Sequence, residues 1–198
     1  MKPEIEAKFL NVDHNEIRSK LKKLGAKLEQ PMRLMRRMLF DYPDNRFQRD
    51  NNARRLRVRD EGDKVMVNFK HSKGGNYVHE VETEVGSFED MTNLLTSIGL
   101  VSYSDQESKR EAWTYKGTEI VLDEWPWLDA YIEIEGPTEE SIKGVTKDLG
   151  FDWGDAEFGS VDTAYKAQYP GMKESDSIGD LPEVKFNQPL PKWLEDRR

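Results

Sequence analysis

The stretch PEIEAKF at residues 3–9 alternates charged and apolar side chains with a period of two. Glu4, Glu6 and Lys8 occupy every second position, and the residues between them are apolar. Because successive side chains of a β-strand point to opposite faces, this pattern predicts a strand with one ionic face and one apolar face. The ionic face would place two carboxylates and one ammonium in a row.

The composition limits the classes of protein to which the chain can belong. It has 198 residues, a net charge of −8, 34% charged and 36% hydrophobic residues, and no cysteine. This length suits one domain with a substantial core, and the acidic balance argues against a nucleic-acid partner. The absence of cysteine excludes disulfides and thiolate metal sites. No apolar run reaches the length of a membrane span, and the charged N-terminus does not resemble a signal peptide, so we expect a cytoplasmic protein without a membrane partner.

Three amphipathic helices are predicted from apolar residues at helical spacing. Each begins after a side chain suited to cap a helix and ends at a glycine. The capping residues and closing glycines are Asp13 and Gly25, Ser87 and Gly99, and Thr138 and Gly150.

The remaining chain alternates between strand patterns and turn signals, and short hairpin links predict antiparallel pairing. Residues 171–198 contain three prolines and little periodicity. We therefore predict a domain over residues 1–170 and an irregular C-terminal tail over residues 171–198. The predicted strands cover residues 3–9, 35–42, 54–60, 64–70, 77–85, 108–115, 118–124 and 130–135.

Most of these strands combine one charged face with one apolar face, and several carry runs of a single sign. An ordinary sheet with its charges in water explains any one strand. The whole set favours ligand binding, because like charges at alternate positions repel unless an opposite charge lies among them. Acidic clusters suit Mg²⁺ or Mn²⁺, and arginine clusters suit phosphate. We predict an α+β fold with a closed or nearly closed eight-stranded antiparallel β-barrel, a charged tunnel inside and helices outside.

This ordered set of motifs resembles the CYTH family, also called triphosphate tunnel metalloenzymes. The family signature E-x-E-x-K is present as Glu4-Ile5-Glu6-Ala7-Lys8, and the later E-x-E as Glu133-Ile134-Glu135. Between them lie an R-x-R strand, Arg57-Val58-Arg59, and a strand that ends in Lys70. The resemblance covers about residues 3–169. The sequence departs from the family pattern at Arg37, which stands where an aspartate is usual, and at Ser108, which stands where a lysine is usual.

The resemblance implies roles for individual residues of a metal- and phosphate-binding site. It implies metal ligands for Mg²⁺ or Mn²⁺ at Glu4, Glu6, Glu82, Glu133 and Glu135. It implies phosphate contacts at Arg57, Arg59, Lys70, Arg110 and Lys166. It implies that Lys8 and Asp123 are catalytic, with Lys8 near the reacting end of the substrate.

The function expected from this resemblance is that of a divalent-metal-dependent enzyme that hydrolyses an organic or inorganic triphosphate. ATP, thiamine triphosphate and tripolyphosphate are the expected small-molecule partners, and a homodimer is left open. One alternative is a class IV-type adenylyl cyclase, which converts ATP to cyclic AMP and pyrophosphate. Another is a non-catalytic sensor of polyphosphate or nucleotide.

Overall fold

The computed structural model describes residues 5–50, 54–72 and 78–198. Its helices are α1 (His14–Lys23), α2 (Phe88–Ser97), α3 (Glu139–Leu149), α4 (Val161–Gln168) and α5 (Lys192–Glu195). Its strands are β1 (Ile5–Phe9), β2 (Lys27–Asp41), β3 (Arg54–Asp60), β4 (Val65–Ser72), β5 (Val78–Val85), β6 (Val101–Tyr115), β7 (Thr118–Glu124), β8 (Tyr131–Gly136) and β9 (Glu183–Val184).

The three predicted amphipathic helices are confirmed as α1, α2 and α3, and each begins at the predicted capping side chain. The Asp13 carboxylate accepts from two backbone N–H groups of the first turn of α1, at 2.7 and 3.2 Å. Ser87 Oγ accepts from the Asp90 N–H at 3.1 Å, and Thr138 forms a reciprocal capping box at the start of α3. These contacts satisfy N–H groups that have no partner inside the helix, which explains why the helices begin there.

Two strands are longer than predicted. Residues 35–42 and 108–115 were the predicted segments, but β2 and β6 each contain 15 residues and begin at Lys27 and Val101. The added halves read KLEQPMRL and VSYSDQE, with a proline in one and four polar residues in sequence in the other. Neither half has the alternation of a half-buried strand, so its pairing depends on neighbouring strands rather than on its own pattern.

The chain divides into two compact units. The first unit contains Met1–Arg33, Ser108–Asp176 and Phe186–Arg198. Its hydrogen-bonded strand order is β1-β8-β7-β6, all antiparallel. Helices α1 and α3 pack on the apolar side of these strands, where Ala7, Ile134 and Ile142 are fully buried. The other, ionic side of the same strands is where charged side chains collect.

The second unit contains Leu34–Glu107 and Ser177–Lys185, with the strand order β2-β3-β4-β5. Helix α2 covers its apolar side through Phe88 and Leu95, which pack with Phe40 and Val58. The three helices thus cover the apolar strand faces, as the two-residue period predicts.

The structure bears out the α+β class and the antiparallel sheet, but the predicted closure of a barrel is only partly supported. The sheet path ends at β1 and at β5, and in the described ranges no hydrogen-bonded ladder joins these two strands. Hairpin links identify which neighbours pair, whereas closure depends on strand tilt and stagger that short motifs do not encode.

The segment predicted as an irregular tail contains β9 and α5. β9 pairs in parallel with β6 through Asp105 and Gln106, and Leu194 of α5 is fully buried. The domain boundary at residue 170 stays a prediction. Among the described residues, none of the helices combines the length and the apolarity that a membrane crossing requires.

Candidate functional site

The first unit collects charged residues that we call the Lys8 cluster: Glu6, Lys8, Arg110, Asp123 and Glu133. β1 and β8 pair so that Lys8 lies opposite Glu133, and β6 and β7 pair so that Arg110 lies opposite Asp123. Directly opposite residues of an antiparallel pair project from the same face. The strand register therefore brings cations and carboxylates together that are more than 100 residues apart in the chain.

Lys8 is the most enclosed cation of this cluster, with 1% of its side chain exposed. Its ammonium lies 2.8 Å from Glu6 Oε1 and 3.3 Å from Glu133 Oε1, and it donates a hydrogen bond to the Gly159 carbonyl. Burial by itself would lower the pKa of Lys8, but the two carboxylates outweigh it and the pKa lies above its ordinary value. Lys8 is a charged group that the fold holds in place.

Arg110 forms the second cationic position of the cluster. Its Nε donates to Asp123 Oδ1 at 2.7 Å, and its Nη2 lies 2.5 Å from Asp123 Oδ2 and 3.0 Å from Glu133 Oε2. Burial opposes the charge of Arg110, but Asp123 and Glu133 raise its pKa well above the ordinary value. Asp123, with 1% exposure, orients this guanidinium through a bidentate pair.

Glu133 lies between the two cations. Burial would raise the pKa of Glu133, but Arg110 and Lys8 outweigh burial and hold the pKa below its ordinary value. The side chain is thus kept as a carboxylate with both oxygens aimed at positive charge. Lys109, which precedes Arg110 in β6, points to the opposite face of the sheet. Its Nζ lies 3.1 Å from Glu124 Oε2 there. Adjacent residues of β6 thus lie on opposite faces, Arg110 in the Lys8 cluster and Lys109 outside it.

The carboxylates on the ionic side of the first unit are candidate ligands of a divalent metal. Glu6 lies opposite Glu135 in the strand register, and carboxylate oxygens are the donors that Mg²⁺ and Mn²⁺ prefer. The described ranges, which begin at Ile5, contain no group of three or more His, Asp or Glu side chains arranged to hold a metal ion. Glu4, a predicted ligand, lies outside the described residues. The carboxylate oxygens suit a hard cation by their chemistry, but the described side chains do not form a metal site.

The second unit presents a row of cations that we call the arginine face: Arg55, Arg57, Arg59 and Lys70. Alternate residues of β3 lie on this face, and the register places Arg55 opposite Lys70 and Arg57 opposite Asn68. On the next strand, Glu80 lies opposite Lys70 and Glu82 opposite Asn68. The register thus places basic residues of β3 and β4 and glutamates of β5 on one face. Arg37 adds another cation opposite Arg59.

Arg57 differs from the other members of the arginine face. No ion pair of Arg57 occurs within the described part of the chain, and its buried Nε atom has no hydrogen-bond partner there. Burial lowers the pKa of Arg57 well below the ordinary value, and the charges of Arg59, Arg37 and Arg55 lower it further. Glu80 only partly opposes these effects. Arg57 therefore carries a positive charge that has no ion-pair partner in the described residues.

Arg59 and Lys70 of this face are paired with carboxylates. Arg59 Nη2 lies 2.5 Å from Glu61 Oε1 and 3.4 Å from Glu82 Oε1, although its buried Nε has no hydrogen-bond partner in the described ranges. Lys70 lies 3.0 Å from Glu80 Oε2. Glu82, a predicted metal ligand, therefore contacts a cation of this face.

Sequence reasoning did not assign a role to Asn68 or Glu61. Asn68 is fully buried, and its amide donates to Glu80 and, at 3.5 Å, to Glu82. Its position opposite Arg57 follows from the strand register, so alternation could have indicated it. Glu61 follows β3 in a turn, where the alternating pattern no longer applies.

Lys166, a predicted phosphate ligand, lies on α4. Its ammonium donates to the Glu174 carbonyl at 2.6 Å and lies 3.7 Å from Glu174 Oε2. Its contacts in the described residues do not include the Lys8 cluster. Helix α4 was not among the three predicted helices, and the partner of Lys166 comes from residues 171–198, whose course the sequence did not predict.

The protein is thus an α+β protein with an antiparallel sheet that is ionic on one side and covered by helices on the other. The CYTH domain model matches residues 2–155, and this chain belongs to the CYTH domain family. No curated protein matches the chain.

Solved structures with the same fold come from archaea, bacteria and plants. The PH1012 protein from Pyrococcus horikoshii is 23% identical, with 81% of this chain and 98% of that chain covered and a TM-score of 0.64. A candidate adenylate cyclase from Vibrio parahaemolyticus is 13% identical over 81% and 96% of the two chains, with a TM-score of 0.69. A candidate adenylyl cyclase from Hippeastrum, described with a dominant triphosphatase activity, is 16% identical over 87% and 99%, with a TM-score of 0.58. At these identities the likeness concerns the fold.

Proposed function

We propose that this protein is a divalent-metal-dependent enzyme that hydrolyses a small-molecule triphosphate. The observation that carries the proposal is Arg57, a guanidinium with a buried Nε atom and no ion pair in the described residues. A partly buried guanidinium whose buried Nε has no hydrogen-bond partner is unfavourable, so such a residue is best explained by a ligand of opposite charge. Because three other cations share its face, the ligand is a polyanion rather than a single carboxylate.

Phosphate chemistry fits this face better than other anions do. A guanidinium binds phosphate oxygens through two parallel N–H groups, and an ammonium binds them as a point charge. Arg57, Arg59 and Lys70 would hold phosphoryl oxygens and stabilise the charge that develops on them during transfer. The phosphate contact expected of Arg110, which belongs to the first unit and pairs with Asp123, stays a prediction.

The proposed metal ligands are Glu6, Glu133 and Glu135, with Glu4 as a further ligand; in the described ranges these carboxylates are not arranged as a metal site, so they would have to turn toward the ion when it binds. When bound, Mg²⁺ or Mn²⁺ supplies positive charge that neutralises phosphate oxygens and fixes their orientation. Lys8 and Arg110 keep Glu133 ionised by lowering its pKa. Glu6 lies opposite Glu135 on the paired strand.

Hydrolysis is favoured over cyclisation because it makes fewer demands on the site. Water is always present as a nucleophile, whereas cyclisation needs a pocket that holds adenine and places the 3′-hydroxyl at the α-phosphorus. The Hippeastrum protein is described with a dominant triphosphatase activity although it is also described as a candidate cyclase. That description supports placing hydrolysis ahead of cyclisation, since the fold alone does not decide between the two activities.

Product analysis by phosphorus NMR tests the proposal. The purified protein is incubated with Mg²⁺ or Mn²⁺ and, separately, with tripolyphosphate, ATP and thiamine triphosphate. Orthophosphate from any of them supports hydrolysis, and the relative rates identify the substrate. Cyclic AMP with pyrophosphate would replace the proposal with adenylyl cyclase, and binding without product would replace it with a sensor.

A matched pair of variants connects the activity to the arginine face. Arg57→Met should abolish turnover. Arg46→Met is the control, because Arg46 is an exposed arginine of the same unit that pairs with Asp44 at 3.0 Å. Equal activities of the two variants would mean that the arginine face does not bind the substrate.

A further inference from the structure

The backbone segment that precedes α4 holds Lys8. Lys8 N–H donates to the Glu157 carbonyl at 2.8 Å, and Glu157 N–H donates to the Lys8 carbonyl at 2.9 Å. These two hydrogen bonds form an isolated antiparallel bridge, because Lys8 lies in β1 whereas Glu157 lies in none of the named strands. Two residues later, the Gly159 carbonyl accepts from the Lys8 ammonium. The family model ends at residue 155, so these contacts come from a part of the chain beyond the family match.

The Lys8 ammonium has three N–H donors, and its described neighbours provide three acceptors. These are Glu6 at 2.8 Å, Glu133 at 3.3 Å and the Gly159 carbonyl. Lys8 is almost completely buried. Two hydrogen bonds, the nearby Glu133 carboxylate and almost complete burial leave the ammonium little access to a phosphate oxygen.

The conformation of Gly159 is one that only glycine adopts readily. Its φ is +105°, and a Cβ added there would lie 3.0 Å from Thr163 Oγ1. Thr163 Oγ1 in turn donates to the Phe158 carbonyl at 3.0 Å. A side chain at residue 159 would therefore strain the backbone and turn its carbonyl away from Lys8.

Helix α4 anchors this segment on its other side. It begins directly after the segment, with Ser160 as its capping residue. Tyr165 of α4 is fully buried, and its hydroxyl donates to the Pro126 carbonyl at 2.7 Å. The Gly159 carbonyl is thus held between the Glu157 bridge and an anchored helix, which makes it a fixed acceptor rather than a mobile one.

We propose that Gly159 is a positioning residue that, through its carbonyl, locks Lys8 between Glu6 and Glu133. Lys8 then acts on the two carboxylates by fixing their spacing, and it does not bind the substrate phosphate. This inference rests on the proposed function for its catalytic consequence, but the lock on Lys8 can be measured without any substrate. It also changes the expected role of Lys8, which the family resemblance places near the reacting end of the substrate.

Competitive acylation of lysines tests the lock directly. The full-length protein is treated with a trace of an amine-selective reagent, and the modification of Lys8 is compared by mass spectrometry with that of exposed Lys147. We expect Lys8 in the natural sequence to react at least about tenfold more slowly, because its ammonium is almost completely buried and hydrogen-bonded whereas Lys147 is exposed. Reaction of Lys8 at the rate of Lys147 would overturn the proposal.

Gly159→Ala provides the comparison. Loss of one hydrogen bond to a charged group corresponds to about a tenfold change, so Lys8 should become about tenfold more reactive relative to Lys147. Gly144→Ala is the matched control, because Gly144 lies in α3 with open space where the Cβ would go. Gly159→Asn should fall between the two, since asparagine tolerates positive φ better than alanine. An unchanged Lys8 reactivity in folded Gly159→Ala or in folded Gly159→Asn would overturn the proposal.

Kinetics on the best triphosphate substrate provide the second measurement. A positioning role predicts that Gly159→Ala lowers kcat about tenfold while KM stays within about twofold, because the substrate loses no contact. A raised KM with an unchanged kcat would mean that Lys8 binds the phosphate itself and would overturn the proposal. If no substrate is turned over, the proposed function fails, and the acylation result still decides whether Gly159 locks Lys8.

Discussion

Arg110 and Asp123 form a bidentate ion pair across adjacent strands, with N–O distances of 2.7 and 2.5 Å. The carboxylate is buried, and Arg110 also reaches Glu133 at 3.0 Å. Because Asp123 is removed from water and 30% of Arg110 stays exposed, the buried carboxylate depends on Arg110 more than Arg110 depends on it. This relationship makes the ionic side of the first unit sensitive to single substitutions.

Replacing Asp123 by alanine should lower the free energy of unfolding by about 2 kcal/mol, because it removes both hydrogen bonds of the bidentate pair and leaves Arg110 with Glu133 as its carboxylate partner in the described residues. Urea denaturation followed by circular dichroism measures this. Lys109→Ala on the opposite strand face is the control, since the Lys109–Glu124 pair is exposed and contributes less than about 1 kcal/mol. Equal losses for the two variants would contradict the special role of the Arg110–Asp123 pair.

Acid should destabilise the protein through Glu133. Its pKa lies below the ordinary 4.5, so the stability that it contributes is complete above about pH 4.5 and is lost as the pH falls through the folded-state pKa. The melting temperature should therefore decline on acidification below about pH 4.5. Glu133→Gln should show a shallower decline over the same interval. A variant with the same pH dependence as the natural sequence would exclude Glu133 as the source.

Arg57→Met should separate stability from binding. Removal of an uncompensated buried charge should raise the free energy of unfolding by about 1 kcal/mol. The affinity for tripolyphosphate should fall about 100-fold, which corresponds to the loss of about 3 kcal/mol of charged hydrogen bonding. Calorimetric titration and urea denaturation measure the two effects. A less stable variant with full affinity would refute the phosphate role of Arg57.

Chelation should remove the activity if carboxylates hold the metal. Excess EDTA is expected to abolish turnover of the best triphosphate, and Mg²⁺ or Mn²⁺ is expected to restore it. Glu6→Gln should raise the metal concentration needed for half-maximal rate. Glu139→Gln, which alters an exposed carboxylate paired with Lys143, should not. Full turnover in excess chelator would remove the metal from the proposal.

The C-terminal segment should contribute measurable stability. Leu194→Ala should cost about 3 kcal/mol, because Leu194 is fully buried. Leu94→Ala is a control of the same chemistry, since 53% of Leu94 is exposed and the change should stay within about 0.5 kcal/mol. A neutral Leu194→Ala would mean that α5 adds nothing to the fold.

Most local structure could be predicted because its causes are local. Asp13, Ser87 and Thr138 satisfy N–H groups within one helical turn, so the starts of α1, α2 and α3 follow from neighbouring residues. The alternating pattern likewise separates the ionic from the apolar face of each strand. It places Arg57 and Arg59 on one face and Val58, which is fully buried, on the other.

The parts that could not be predicted depend on distant partners. The first halves of β2 and β6 lack an alternating pattern, and their strand character comes from neighbours in the sheet. Lys8 meets Gly159 across 151 residues, and a glycine gives no sequence signal for its carbonyl. The partner of Lys166, Glu174, could not be predicted either, because residues 171–198 have no periodicity from which to predict their course.

The sequence by itself determined the elements and the charge on each strand face, because side-chain period and helix capping act over a few residues. Tertiary structure alone decided which charges meet. It joined Lys8 to Glu133, oriented Arg110 on Asp123 and left Arg57 without an ion pair in the described residues. The physical reason is that ion pairing depends on strand register and burial, which are set only when separate segments pack together.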